Sequence, residues 1–139
     1  MPDDCVFCSI VAGEIPARTV HETDEVLAFL DANPLAPGHT LVIPKVHVRH
    51  VGEIDDDLTS ELFAAVAELT PRIRDVVNAD AANVGINDGR AAGQEVPHVH
   101  VHVIPRFEGD DGSPIHAVAG ERPELTDDEL DAIAADITG

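Results

Sequence analysis

The chain has 139 residues, 44% of them hydrophobic, and carries 27 acidic against 8 basic side chains, a formal net charge of −19 at neutral pH. That length holds a single domain, residues 1–139, with a real core, and that charge repels polyanions, which excludes general binding to nucleic acid or to an acidic membrane surface. No apolar run reaches transmembrane length, the acidic pair Asp3-Asp4 stands where a signal peptide carries positive charge, and two cysteines are too few for a secreted disulfide framework, so the expected location is the cytoplasm.

In chain order, the first motif is Cys5-x-x-Cys8, followed by Ile10 and Val11 and stopped by Gly13. The spacing fits a metal knuckle leading into a short helical turn; a redox pair is the alternative, but that motif belongs beside a βαβ unit, which is missing here. Residues 18–22 and 26–30 alternate as two short strands across the turn Thr23-Asp24, a hairpin. The loop 31–38 contains two prolines, opens on Asp31 and delivers the chain to His39; an aspartate in such a loop also serves as a simple turn cap. Residues 40–44 form an apolar strand ending at Pro44, and the turn-rich segment 45–52 carries His47, Arg49 and His50. Either histidine of that segment could join the cysteines as a ligand.

From Asp57 onward, Leu58, Leu62, Ala65, Val66, Leu69, Ile73, Val76 and Val77 recur at threes and fours, the period of a long amphipathic helix. Asp55, Asp56 and Asp57 sit near the positive end of its dipole, and Pro71 is expected to kink it by removing a backbone donor. Residues 82–87 resume as a strand. The loop 88–93 is rich in small residues, and its glycines permit close backbone approach to an anion.

The most distinctive stretch is Pro97-His98-Val99-His100-Val101-His102-Val103. Strict alternation is the period of a strand, so the three histidines share one face and the three valines the other, a polar face against a core face. Residues two apart on a strand are separated by roughly 6.5 Å, so His98 and His102 stand about 13 Å apart at their backbones, too far for three imidazoles in a row to share one zinc ion. The middle imidazole, His100, is the expected centre. After Arg106 comes an acidic, glycine-containing loop, 108–112, expected to be mobile. Thr126-Asp127-Asp128-Glu129 is a capping box ahead of a short C-terminal helix.

Further composition bears on the source. Lys45 is the sole lysine, Tyr and Trp are absent, and Asp, Ala and Val abound, a pattern expected of a salt-adapted, halophilic organism. At about 1 M salt the Debye length falls to about 3 Å, and an acidic surface then costs little through self-repulsion.

With these blocks in order, His98-x-His100-x-His102 followed by two apolar residues, Asp31-x-x-Pro34-x-x-Pro37-Gly38-His39, the segment 41–45, and Asn87-Asp88-Gly89 ahead of Gly93-Gln94, the sequence resembles the histidine triad (HIT) superfamily, in its Hint-like branch. The match runs over about residues 5–106, leaving 107–139 as a C-terminal extension. The resemblance implies an α+β, HIT-like fold: an antiparallel sheet of about five strands with one long helix and a short C-terminal helix, paired into a homodimer. It also implies an enzyme that cleaves at the α-phosphate of a nucleoside monophosphate conjugate, a purine nucleotide such as an AMP phosphoramidate. His100 would be the nucleophile, His98 and His102 its flanks, and His39 a support from behind. Asp31 would accept ribose hydroxyls, and Asn87, Gly93 and Gln94 would contact phosphate; Glu95 stands where many relatives carry a hydroxyl residue. Relatives with this cysteine pair bind zinc, which implies a structural zinc ion on Cys5, Cys8, His47 and His98 and no cofactor needed for the chemistry. The alternatives are a dinucleoside polyphosphate hydrolase and a non-catalytic nucleotide-binding regulator.

Overall fold

The computed structural model describes residues 4–139. Eight regular elements follow one another: helix α1 (Val6–Val11), strands β1 (Thr19–Glu22), β2 (Val26–Leu30) and β3 (Thr40–Pro44), helix α2 (Asp56–Val77), strands β4 (Ala81–Gly85) and β5 (Val101–Arg106), and helix α3 (Asp127–Thr138). The strands form one sheet in the order β1-β2-β3-β5-β4, with every neighbouring pair antiparallel. This is the α+β architecture expected, with its five strands, one long helix and short C-terminal helix.

Helix α2 begins at Asp56, one residue before the apolar pattern starts, because the Asp55 carboxylate caps it by accepting from the Leu58 amide at 2.8 Å. It ends on Asn78 in the left-handed conformation, φ 57°. Pro71 does not interrupt it. The residues on both sides of the proline, Leu69 and Ile73, are buried, so packing against the sheet holds the axis where one backbone donor is missing. With Leu58, Leu62, Ala65 and Val66 they meet Val26, Ala28, Val42, Val99, Val101 and Val103 on one face of the sheet. The opposite face buries Leu27, Phe29, Leu41 and Ile43 against Cys5, Phe7 and Cys8 of the N-terminal knuckle. The sheet is therefore covered on both sides, and the short helix α1 is what covers the histidine side.

Two strands differ from the sequence reading. β4 runs over 81–85 rather than 82–87, because its pairing with β5 begins at Ala81 opposite Arg106 and closes with Gly85 opposite His102. The histidine strand starts at Val101, not His98, so of the three histidines only His102 lies in the ladder. Continuing the register of Leu41 opposite His102 and Val42 opposite Val101 would place Val99 opposite Pro44. Proline has no N–H to give, and the Pro44 carbonyl accepts instead from the His98 ring at 2.7 Å. The chain stays tethered through the Val99 amide, which donates to the Val48 carbonyl at 2.7 Å.

The acidic loop after Arg106, expected to be mobile, is instead laced together. The Arg106 guanidinium forks onto both Asp110 oxygens at 2.8 and 2.9 Å and reaches the Ser113 carbonyl, while Asp110 also accepts the Phe107 and Gly112 amides. The guanidinium first, and those amides after it, hold the Asp110 carboxyl well below the usual carboxylate range. Helix α3 is capped as its sequence requires, Thr126 and Glu129 each accepting the other's amide at 3.1 and 3.2 Å, and none of its residues is buried. No helix of the described residues is long and apolar enough to cross a membrane.

Candidate active site and metal centre

The face that alternation marks as polar is not a solvated one. His98 is 0% and His100 7% exposed, because the Phe7 ring stands edge-on to both, with centroids 5.9 and 5.0 Å away. Buried imidazoles must have their nitrogens accounted for one by one, and here the partners assign every tautomer. A backbone carbonyl only accepts, so His98 donates from Nε2 to Pro44 and keeps a lone pair on Nδ1. Likewise, His100 donates from Nδ1 to the His98 carbonyl at 2.7 Å, which leaves the Nε2 lone pair as its free end.

The second pair of histidines is wired in series. The Leu35 amide donates to His39 Nδ1 at 3.1 Å, so His39 carries its proton on Nε2 and gives it to His102 Nδ1 at 3.0 Å. His102 must then be protonated on Nε2, and that N–H is buried without a partner. An unmet buried donor costs about 1–3 kcal/mol, and such exceptions mark places where something else is meant to bind. Asp31 approaches His39 Nε2 at 3.6 Å. Burial lowers the pKa of both rings; that of His102 falls to about 4, first through burial and then through the neighbouring His100 and His39, against the smaller opposing pull of Asp31. Both are neutral at pH 7, so the tautomers are the functional states. This wiring also excludes a metal ion among Asp31, His39 and His102, whose ligand atoms lie close enough to suit one, since a ligating His39 Nε2 would put its proton on Nδ1 against the Leu35 N–H.

His100 and His102 rings lie 4.9 Å apart, and those of His39 and His102 5.2 Å apart. The free lone pair and the unmet donor thus sit on adjacent rings. Asn87 is exposed and packs beside Gly93, where an added Cβ would lie 3.7 Å from its Nδ2; Gly93 itself adopts φ 101°, a conformation open to glycine. Gln94 is held at both ends of its amide. Its Oε1 accepts from the Gly89 amide at 2.8 Å and its Nε2 donates to the Arg49 carbonyl at 2.9 Å. The Gly93 and Gln94 amides turn back onto Arg90 and Gly89 carbonyls. Asp31 accepts the Asn33 amide at 2.8 Å as a turn cap and keeps its second oxygen toward His39. Glu95 is exposed, on the wall of an open cleft of about 960 Å³. The sequence reading missed Arg49 and Arg90, which line the same cleft; the available signal was that two of only eight basic residues flank the loops that deliver the triad.

At the other end of His98, Cys5, Cys8, His47 and His98 place four ligand atoms within 4.8 Å of one another. A tetrahedral zinc ion, about 2.3 Å from sulfur and about 2.0 Å from nitrogen, needs sulfur–nitrogen separations of about 3.6 Å. The separations here are 3.3 Å for Cys8–His47, 3.5 Å for Cys5–His98 and 3.6 Å for Cys8–His98. His98 offers the right nitrogen, since its proton is held by Pro44 on the far side. Burial pushes the Cys8 thiol up to about 11, and Cys5 beside it adds to the shift, so the Cys8 sulfur needs a cation before it gives up its proton. His47, not His50, supplies the fourth atom: His50 faces Asp88 at 3.4 Å.

A sheet with a buried imidazole network on one face, one free lone pair and one unmet N–H side by side, defines a catalytic domain built on histidines. The chain belongs to the histidine triad family, whose HIT domain model matches residues 12–109. It is 49% identical over 106 residues to an uncharacterized HIT-like protein of Methanocaldococcus jannaschii, covering 76% of this chain and 81% of that one. It is 39% identical over 110 residues to an adenylylsulfatase of Arabidopsis thaliana, covering 79% of this chain and 56% of that one. Among solved structures, a zinc-bound histidine triad family protein from Mycobacterium smegmatis superposes with a TM-score of 0.73 at 34% identity, covering 97% of this chain and 96% of that one. The triad supports a catalytic HIT-type enzyme; the cysteine pair lies outside the family match.

Proposed function

We propose that the protein is a Hint-like nucleotide hydrolase or transferase that cleaves at the α-phosphate of a nucleoside monophosphate conjugate, phosphoramidate-like, through a nucleotidyl-His100 intermediate. The observation that carries this is the 2.7 Å bond from His100 Nδ1 to the His98 carbonyl, which leaves the Nε2 lone pair as the ring's free end. That lone pair attacks phosphorus, the bond to the leaving group breaks with its electron pair, and the leaving group takes up a proton. The His102 Nε2–H donates to an equatorial oxygen as charge builds there. Water then attacks phosphorus, the P–N bond breaks, and the monophosphate leaves with His100 restored. Glu95, on the open cleft, is the carboxylate available to exchange protons with leaving group and water. Asp31 and Asn87 bind ribose and phosphate. The similarity to an adenylylsulfatase supports an adenylyl conjugate as substrate.

Cys5, Cys8, His47 and His98 would hold a structural zinc ion, which would tie α1 to the triad segment. We extend the reading to a cytoplasmic homodimer, on the strength of the family resemblance, and to salt adaptation with no nucleic-acid partner, on the strength of the net charge of −19. The test is substrate labelled at the α-phosphate. Wild-type protein should trap an acid-labile label, and His100→Ala should trap none while still binding AMP. Near-normal turnover by His100→Ala would remove the mechanism, and AMP binding without turnover by wild type would favour the regulator reading.

A further inference from the structure

Arg49 and Arg90 stand out in a chain with more than three acidic residues for every basic one. Neither guanidinium has a carboxylate partner among the described residues, a condition shared with Arg18, Arg74 and Arg122 but not with Lys45, Arg72 and Arg106; what sets the two apart is their common location. Both line the same open cleft of about 960 Å³, with His50, Gly93, Glu95 and Pro97. In so acidic a protein an unpaired arginine pair exposed in one concavity is a local reversal of field, and it favours an anion.

Their convergence is built rather than incidental. Arg49 belongs to the segment after β3, and Arg90 to the turn after β4. The buried Gln94 amide joins the two segments, accepting from the Gly89 amide at 2.8 Å and donating to the Arg49 carbonyl at 2.9 Å. Asp88 joins them a second time, accepting from the Val51 amide at 3.1 Å with His50 3.4 Å from the same oxygen. Asp88 is thereby occupied by His50 and the backbone, and Glu95, the carboxylate that shares the cleft, forms no ion pair with either guanidinium among the described residues. The same cleft wall includes Pro97, three residues from His100 and so at most about 11 Å from it along the backbone.

We infer that Arg49 and Arg90 form a leaving-group subsite for an oxyanion, which extends the range beyond phosphoramidate-like substrates to nucleotidyl conjugates whose departing half carries phosphate or sulfate. Guanidiniums suit this because their fork of donors matches tetrahedral oxyanions, and a cleft of this size exceeds what ammonia requires. The inference rests on the reading of His100 as the nucleophile that attacks the α-phosphorus, and it sets which conjugates that nucleophile meets.

Equilibrium binding in a His100→Ala background, which lacks the nucleophile, tests it without turnover. That protein should bind ADP about tenfold more tightly than AMP, and on adding R49Q/R90Q that ratio should fall to within twofold of one while AMP affinity stays put. Adenosine 5′-phosphosulfate against ADP separates the two oxyanion sources: a similar gain for both assigns a general oxyanion site, and a gain for one alone assigns the site to that anion. Kinetics supply the second arm, with kcat/KM for ADP or the phosphosulfate falling about tenfold in R49Q/R90Q and that for adenosine 5′-phosphoramidate changing less than twofold. An unchanged ADP-to-AMP ratio in R49Q/R90Q, or an equal loss for all substrates, overturns the subsite. Failure of the His100 mechanism would instead appear as no turnover of any conjugate by wild type with the binding ratio intact.

Discussion

The serial wiring of His39 and His102 predicts a particular pattern of loss. In His39→Ala, His102 Nδ1 loses the donor that holds its proton on Nε2, and the ring is free to take the other tautomer. Removing a single oxyanion donor costs about 10²–10³ in kcat, or about 2.7–4 kcal/mol of transition-state stabilisation, so His102→Ala should fall in that range. His39→Ala should approach the same loss although it need not touch substrate, and His39→Ala/His102→Ala should be little worse than His102→Ala, since both act through one N–H. Truncation also leaves the Leu35 N–H and His102 Nδ1 unmet at about 1–3 kcal/mol each. His39→Gln is therefore the better-folded control: an amide N–H facing His102 Nδ1 would restore the tautomer and recover at least about tenfold of the activity. The assay is single-turnover formation of the labelled intermediate at pH 7, with thermal melts confirming that each variant is folded. Multiplicative losses in the double variant, or His39→Gln no better than His39→Ala, would refute the tautomer argument.

Acid should destabilise the fold before the carboxylates titrate. His102 has its folded pKa near 4, below its ordinary 6.5, so the unfolded chain takes up the proton first; the neutral ring's contribution is present above about pH 6.5 and is lost as pH falls toward 4. Melting temperature should drop across that window in wild type and drop less in His102→Asn, and parallel curves would contradict this. Protein prepared without chelators should contain one zinc per chain by elemental analysis, and Cys8→Ser should lose it and melt at least about 5 °C lower; metal-free wild type of unchanged stability would remove the site. Light scattering should find a dimer in molar salt that dissociates as screening weakens, and a monomer at both extremes would count against it.

Much of this arrangement was legible in the residue pattern, and its gaps have physical causes. Alternation correctly sent Val99, Val101 and Val103 to the helix side, because a period of two records which side chains share a face. It could not say what covers the other face, so the burial of His98 and His100 beneath Phe7 came only with the fold. The strand's late start traces to Pro44, a residue whose missing donor matters only once its partner is known. The choice between His47 and His50 depended on a turn, and three residues of spacing carry no direction there. Gln94 ties two loops together, and that tie was not legible because it depends on the distant Arg49 carbonyl.

His98 makes contacts through three different atoms: Nδ1 approaches the two cysteine sulfurs, Nε2 donates to Pro44, and its carbonyl receives His100. A substitution there is in effect two experiments at once, on Nδ1 and on Nε2, and inactivity of His98→Ala would say nothing about which contact mattered. The main-chain carbonyl survives any side-chain replacement, so the nucleophile's tether is shielded from point mutation at the very residue that provides it, exposed only to shifts of the backbone. Dissecting the triad genetically therefore has to go through the neighbours: Cys8 for the metal, His39 for the donor, and the backbone around Val99, anchored to Val48, for the aim of His100.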